Sequence, residues 1–176
     1  MRQWQTVLKL WIPGTPVPQG SKDAIPLGRW IGSGAGKKFV PFCRPNGVPI
    51  VNVTDNNADK LAPWRALITS LALDEWAGRE ALDEDVCVHA EFVFPHLKGH
   101  YGTGRNAQTL KPSTPFYKNT KPDKDKLERA LFDGLTDAGV WKDDALVVDG
   151  GSRKMYGTNP GVRLWVQTTK TKETNA

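Results

Sequence analysis

The strand that decides the fold is Val86-Cys87-Val88-His89-Ala90-Glu91-Phe92-Val93-Phe94. Its apolar residues recur at every second position, which places them on one face, as expected for a strand with one buried side. Cys87 lies between two valines, so we interpret it as a small core side chain. Pro95 lacks the amide donor that a sheet ladder needs and should end the strand.

A long loop and a helix are predicted after this strand. Residues 96–120 are basic and rich in glycine and proline, and so long a loop is rarely kept in a compact domain without a use. We expect it to be mobile until a ligand binds. Residues 124–138 predict a helix with Gly139 as its C-terminal stop. The apolar stripe of this helix consists of Leu127, Leu131, Gly134, Leu135 and Ala138.

The other segments complete an α+β pattern. Trp4 to Ile12 predicts a first strand, and residues 55–78 predict a helix with Asp55 as its N-cap. Between them, the chain is rich in glycine and proline up to Gly47, and forms at best a hairpin around Lys38 to Phe42. Two or three short strands, at residues 145–149, 152–156 and 162–168, are expected to close the fold as an antiparallel meander.

These elements predict a mixed β-sheet with two main helices packed on it. The length suits a single domain, which we place at residues 1–168, followed by a polar tail at 169–176. No run approaches the roughly 18 apolar residues of a membrane helix, and the N-terminus lacks a signal-peptide pattern. We therefore expect a cytoplasmic protein. Cys43 and Cys87 have no spacing that suggests a zinc site.

The charge of the chain favours an anionic partner. The net charge is +5 and the pI is near 9.2. There is no acidic residue between Glu91 and Asp123, and residues 14–53 contain only Asp23 against five lysines and arginines. Either these two stretches are solvated loops or both reach a phosphate backbone.

The segment most informative about chemistry is Lys121-Pro122-Asp123-Lys124-Asp125-Lys126-Leu127-Glu128-Arg129. At about 100° per residue, a helix starting here places Asp125 and Arg129 on one face, one turn apart. A second acidic pair, Asp143-Asp144, follows the helix. If the helix packs on the next strand, we expect Asp144 to lie near the helix N-terminus.

Clustered carboxylates of this kind suit Mg²⁺ or Mn²⁺. A divalent ion would remove their mutual repulsion and supply the chemistry of phosphodiester hydrolysis, while Arg129 stabilises the phosphate. A structural explanation stays open for both pairs. Asp125 with Glu128 fits a capping box, and Asp143 with Asp144 can simply begin a strand on a solvated turn.

At this point the residues resemble a known family. Three segments are similar to the D-x-D-N-L-x-K, D-A-L and W-x-D-D-x-x-V pattern of the RusA family of Holliday junction resolvases, and they lie at residues 123–129, 132–135 and 139–148. Residues 153–156 and 160–162 also resemble that family, and residues 12–22 resemble the opening of its bacteriophage-encoded members.

The resemblance implies a homodimer that uses Mg²⁺, with Mn²⁺ able to substitute, to nick branched DNA in recombination and repair. Two sites in a symmetric dimer suit the two matched cuts of a four-way junction. The implied metal ligands are Asp123, Asp125 and Asp144. Two residues depart from the pattern, because Lys126 replaces its asparagine and Arg129 its catalytic lysine.

Weaker hypotheses concern DNA contacts and other functions. Lys22, Lys121, Lys126 and Lys154 are candidates for phosphate contacts, or else ordinary surface charge. The changes at Lys126 and Arg129 allow an alternative, a branched-DNA-binding protein with weak or lost catalysis. A nucleotide phosphotransfer enzyme is a third reading, but the glycine-rich residues 32–38 lack the P-loop spacing.

Overall fold

A four-stranded mixed sheet forms the centre of the larger part of this protein, for which we obtained a computed structural model. The structure describes residues 3–55 and 57–169, so the tail predicted from Thr169 onward lies outside the described residues apart from Thr169 itself. The chain divides into two compact units, one of residues 19–58 and one of residues 1–18 and 59–176. The α+β class, with a mixed sheet and two helices, is confirmed.

The described residues contain eight strands and two α-helices. In chain order they are β1 (Gln5–Pro13), β2 (Lys22–Pro26), β3 (Gly28–Ile31), β4 (Lys38–Pro41), β5 (Val51–Asp55), α1 (Ala58–Trp76), β6 (Val86–Pro95), α2 (Lys124–Asp137), β7 (Val147–Gly157) and β8 (Gly161–Thr168).

The larger sheet has the strand order β1-β8-β6-β7. Strand β6 lies in its interior, antiparallel to β8 and parallel to β7, and β8 is in turn antiparallel to β1. The prediction of an antiparallel meander was therefore wrong. Strands β6 and β7 are joined through α2, and a helical crossover of this kind returns the chain to the same end of the sheet, which makes the two strands parallel.

The prediction also left open whether residues 145–149 and 152–156 form one strand or two. The structure has one strand because Gly150, with φ 131°, lets the chain pass close to β6. A Cβ atom at Gly150 would lie 1.9 Å from the carbonyl oxygen of Val88. Glycine is required by this close approach, and it does not end the strand.

Both helices bury one face against the sheet. Helix α1 is three residues shorter at its start than predicted, and Asp55 belongs to β5, so Asp55 is not its N-cap. Helix α2 and its Gly139 stop, with φ 68°, agree with the prediction. The two helices approach closely at Gly134, where a Cβ atom would lie 2.7 Å from Cγ2 of Ile68.

The apolar face of β6 is the centre of the core. Residues Val86, Val88, Ala90, Phe92 and Phe94 are buried together with the apolar stripes of α1 and α2. Cys87 is buried as predicted. Trp141 is also buried, and its indole N–H donates to the hydroxyl of Thr136 at 2.7 Å.

Residues 96–120 are more ordered than a structureless loop. Two short 3₁₀ turns lie at Lys98–His100 and Gly104–Asn106, and Tyr101 forms a β-bridge with Leu110. Two backbone hydrogen bonds connect the segment to β7. The amide of Lys118 donates to the carbonyl oxygen of Lys154 at 3.0 Å, and the amide of Tyr156 donates to the carbonyl oxygen of Phe116 at 3.0 Å.

The smaller unit is a β-ribbon. Strands β2 and β5 pair in one half, and β3 and β4 pair as a hairpin in the other. Backbone hydrogen bonds from Leu27 to Ile50 and from Phe42 to Leu27 connect the two halves. The sequence predicted only a hairpin around residues 38–42. It did not predict that β3 pairs with β4 or that β2 pairs with β5. Among the described helices, none combines the length and the apolar character needed to cross a membrane.

Candidate active site

The first turn of α2 presents two carboxylates to solvent. Asp123 occupies the N-cap position, and Asp125 lies within the first turn. Asp125 is therefore not the cap of a capping box, and Glu128 bonds elsewhere. The side chain of Asp123 makes no capping hydrogen bond, and its Oδ2 lies 3.9 Å from Nζ of Lys126. Both acids are exposed.

The segment that precedes α2 is held in place from β7. Nζ of Lys154 donates to the carbonyl oxygen of Pro122 at 2.6 Å and to that of Thr120 at 2.9 Å. One turn into the helix, the hydroxyl of Ser152 donates to Oε1 of Glu128 at 2.7 Å. These contacts fix the position of the helix start relative to the sheet, and no pattern in the sequence indicates them.

Asp125 and Arg129 are available for a ligand. Both are exposed, and in the part of the chain that the structure describes neither side chain makes a hydrogen bond or an ion pair. Asp133, one turn further along the same face, forms an ion pair with Arg65 at 3.3 Å. The face predicted from helix geometry thus has a free half near its start and an occupied half towards its end.

The second acidic pair lies just before β7. Asp143 accepts a hydrogen bond from the amide of Ala145 at 2.8 Å and caps the short 3₁₀ turn Asp144–Leu146. Asp144 is exposed, and no partner of its side chain is found among the described residues. The structural explanation thus applies to Asp143, while Asp144 is left available for a ligand.

Within one chain, these two sites lie at opposite ends of α2. The helix begins beside Lys154, near the end of β7, and runs back to the beginning of that strand, where Asp144 lies. Fourteen helical residues span roughly 20 Å. Across residues 3–55 and 57–169, no three carboxylate, histidine or cysteine side chains are grouped closely enough to bind a metal ion. The expected approach of Asp144 to the helix N-terminus was wrong, because only a short turn separates Asp144 from the C-terminal end of α2.

The predicted phosphate-binding lysines differ in their surroundings. Lys121 is exposed next to the helix start, and Lys126 lies beside Asp123. Lys154 is half-buried, and its ammonium group donates hydrogen bonds to carbonyl oxygens of the segment before α2. Lys22 is exposed in β2, in the smaller unit.

The opposite face of the sheet carries a charged cluster that the sequence did not indicate. Arg163 donates to Oε2 of Glu91 at 2.8 Å, and Arg153 donates to Oε1. Burial opposes ionisation of this carboxyl group, but the hydrogen bonds and charges of Arg163 and Arg153 outweigh it and lower the pKa of Glu91. A cleft of about 340 Å³ lies beside the cluster and is lined in part by His89 and Trp165.

Comparison with known families identifies the chain. Residues 50–167 match the family described as endodeoxyribonuclease RusA. The chain belongs to this family. The match covers more than half of the chain, including both helices, the strands β6 to β8 and the acids Asp123, Asp125 and Asp144. RusA membership confirms the resemblance drawn from residues 123–148 and makes the chain a member of a nuclease family. No curated protein matches the chain.

Proposed function

We propose that this protein is a Mg²⁺-dependent endonuclease that nicks branched DNA, with Holliday junctions as its principal substrate. The observation that carries the proposal is the first turn of α2. The chain belongs to an endodeoxyribonuclease family, and in this turn Asp125 lies beside Asp123. The side chain of Asp125 is exposed and has no partner among the described residues. Replication forks and flaps are further candidate substrates, and recombination and repair are the corresponding processes.

The residues around this turn can bind different parts of a phosphodiester and its metal ion. Asp123 and Asp125 offer oxygen ligands, which is the donor chemistry that Mg²⁺ prefers. Arg129 lies one turn further along the helix, where its guanidinium group can hold a phosphate oxygen or the charge that develops during hydrolysis. Lys121 is placed to contact the adjoining backbone.

The described residues of one chain do not complete a three-carboxylate metal site. Asp144 lies about one helix length from Asp123 and Asp125, so we derive no catalytic step through a metal ion in a single chain. We propose instead that the protein acts as a homodimer in which Asp144 of one copy faces Asp123 and Asp125 of the other. A two-fold axis repeats such a contact and yields two equivalent sites.

A cleavage assay tests the proposed activity. The protein is incubated with a labelled four-way junction, a fork and a linear duplex of the same length, with Mg²⁺, with Mn²⁺ and with EDTA. We expect metal-dependent nicking of the branched substrates, none in EDTA, and little cutting of the duplex. Binding to the junction without cleavage in either metal would instead support a branched-DNA-binding protein that has lost catalysis.

A further inference from the structure

The tip of the β3–β4 hairpin carries an exposed tryptophan. Trp30 is 61% exposed and lies in β3, directly opposite Phe39 in β4. The ring of Phe39 meets that of Trp30 edge-on at 5.4 Å, and a Cβ atom at Gly28 would lie 2.6 Å from Cζ of Phe39. The glycine therefore leaves room for Phe39 to lie across the ribbon and support Trp30.

One cation lies at the Trp30 ring, and two more lie on the other face of the hairpin. Nζ of Lys37 lies 5.2 Å from the centre of the Trp30 ring. Arg29 and Lys38 alternate with Trp30 and Phe39 along the two strands and so project from the other face of the hairpin. All three cations are exposed, and residues 24–54 contain no acidic residue. The tip thus combines an exposed aromatic ring with three positive charges.

This chemistry fits unpaired nucleic acid. Every base has a face that stacks on an aromatic ring, and neighbouring lysines and arginines hold the phosphate backbone. A base inside a continuous duplex offers no free face, whereas bases at a branch point are partly unstacked. The hairpin also lies outside residues 50–167, the region that matches the family.

We propose that Trp30 stacks on a base at the branch point of the substrate, while Lys37 contacts an adjoining phosphate. Arg29 and Lys38, on the other face of the hairpin, add positive charge that attracts the DNA backbone. This inference rests on the proposed function and deepens it, because it makes the hairpin a determinant of selectivity for branched over linear DNA. A second copy of the chain is a poorer occupant, since its own hairpin carries the same charges and would repel the first.

Binding measured in EDTA tests the proposal without cleavage. The full chain, Trp30→Ala and Trp30→Phe are titrated with a four-way junction and with a linear duplex. Phe42→Ala is the matched control, because Phe42 is a 51% exposed aromatic residue of the same unit that lies outside the hairpin. We expect Trp30→Ala to lower junction affinity on the order of tenfold, Trp30→Phe less, and neither to change duplex affinity.

Photo-crosslinking locates the contact independently of affinity. A junction carries 5-iodouracil either at the branch point or midway along an arm, and crosslinked peptides are identified by mass spectrometry. We expect a crosslink to Trp30 from the branch point and none from the arm.

Three results would overturn the inference. One is equal loss of junction and duplex affinity in Trp30→Ala. Another is unchanged junction affinity together with no crosslink to Trp30. The third is a change in oligomeric state of Trp30→Ala in size-exclusion chromatography, which would assign the tip to a contact between copies. If the unaltered protein binds junction no better than duplex, the proposed substrate class itself fails.

Discussion

Asp125 is the residue on which the proposed chemistry depends most directly. Its carboxylate lies in the first turn of α2, exposed to solvent, and it is not used for capping. Position in the sequence alone allowed two explanations for this residue, a capping box and a metal ligand. The observed helix start at Lys124 removes the first, because a cap must precede the helix that it caps.

Asp125→Asn is therefore expected to abolish cleavage and preserve binding. The substitution keeps the size of the side chain and removes a negative charge close to the phosphate, so junction affinity should stay the same or rise. Cleavage should fall by at least about a hundredfold. The measurements are junction nicking in Mg²⁺ and junction binding in EDTA. Asp74→Asn, an exposed aspartate of α1, is the control and should leave both unchanged. Persistent cleavage by Asp125→Asn would show that this residue is not a ligand.

Glu91 illustrates a residue whose charge stabilises the fold. Its side chain is 13% exposed and accepts hydrogen bonds from two arginines on neighbouring strands. Its pKa is lowered from the ordinary value of 4.5. A lowered pKa means that the ionised form favours the folded state, so the stabilisation is present above the pKa of the unfolded chain and is lost as the pH falls through that of the folded chain.

Glu91→Gln should therefore destabilise the protein in a pH-dependent way. At pH 7 we expect a loss of about 2 kcal/mol in the free energy of unfolding, because hydrogen bonds to a charged group are replaced by weaker ones. The difference from the unaltered protein should hold down to about pH 5 and shrink below 4.5. Urea unfolding between pH 3 and 7 measures it, with the exposed Glu75→Gln as control. A difference of the same size at every pH would exclude an origin in ionisation.

At the scale of elements, α2 is positioned by its contacts with β7. The lysine at position 154 was predicted to contact phosphate, yet its ammonium group donates to two carbonyl oxygens before the helix. This use predicts that Lys154 positions the acids of the first turn. Lys121, exposed beside the same turn, is the better candidate for a phosphate contact.

Two lysine variants separate these roles. Lys121→Met should weaken DNA binding and reduce the slope of log affinity against log salt by about 1. Lys154→Met should leave that slope unchanged, yet lower both the melting temperature and the cleavage rate, because the segment before α2 loses its anchor. Binding titrations at several salt concentrations, thermal unfolding and single-turnover nicking provide the readouts. A reduced slope for Lys154→Met would show that Lys154 contacts a DNA phosphate.

The elements themselves were predicted with uneven success, for reasons that lie in particular residues. Strand β6 and helix α2 have regular apolar periods, and their positions were found to within a residue. The sequence does not decide whether β7 continues through Gly150, because it cannot show that a neighbouring backbone needs that glycine. The pairs β2–β5 and β6–β7 join segments distant in sequence, and periodicity carries no information on partners.

At the scale of the whole molecule, topology decides how the site can be assembled. The acids predicted as metal ligands lie at the start of α2 and in the 143–144 pair, both within the residues that match the family. The expectation that the two acidic pairs lie close together was wrong, because α2 runs antiparallel to β7. When a helix runs antiparallel to the strand that follows it, the first turn of the helix and the start of that strand lie a full helix length apart.

Mixing two inactive variants tests whether the site forms between copies. Asp125→Asn and Asp144→Asn are denatured together, refolded and assayed for junction nicking. If each site takes Asp123 and Asp125 from one copy and Asp144 from the other, a mixed dimer retains one intact site, and about a quarter of all sites should be active. Each variant refolded alone is the control and should be inactive. A mixture as inactive as its components would place all three acids of a site in one chain, whereas cleavage by Asp144→Asn refolded alone would dismiss Asp144.

The pairing of β1 with β8 has a consequence for biosynthesis. Strand β1 is synthesised long before β8, which is its only sheet neighbour among the described elements. Leu8 pairs with Val166, 158 residues later, and Ile12 pairs with Val162, 150 residues later, and both are buried in the folded protein. Contacts this distant along the chain slow folding. Until β8 has been synthesised, the apolar residues of β1 stay exposed and can aggregate.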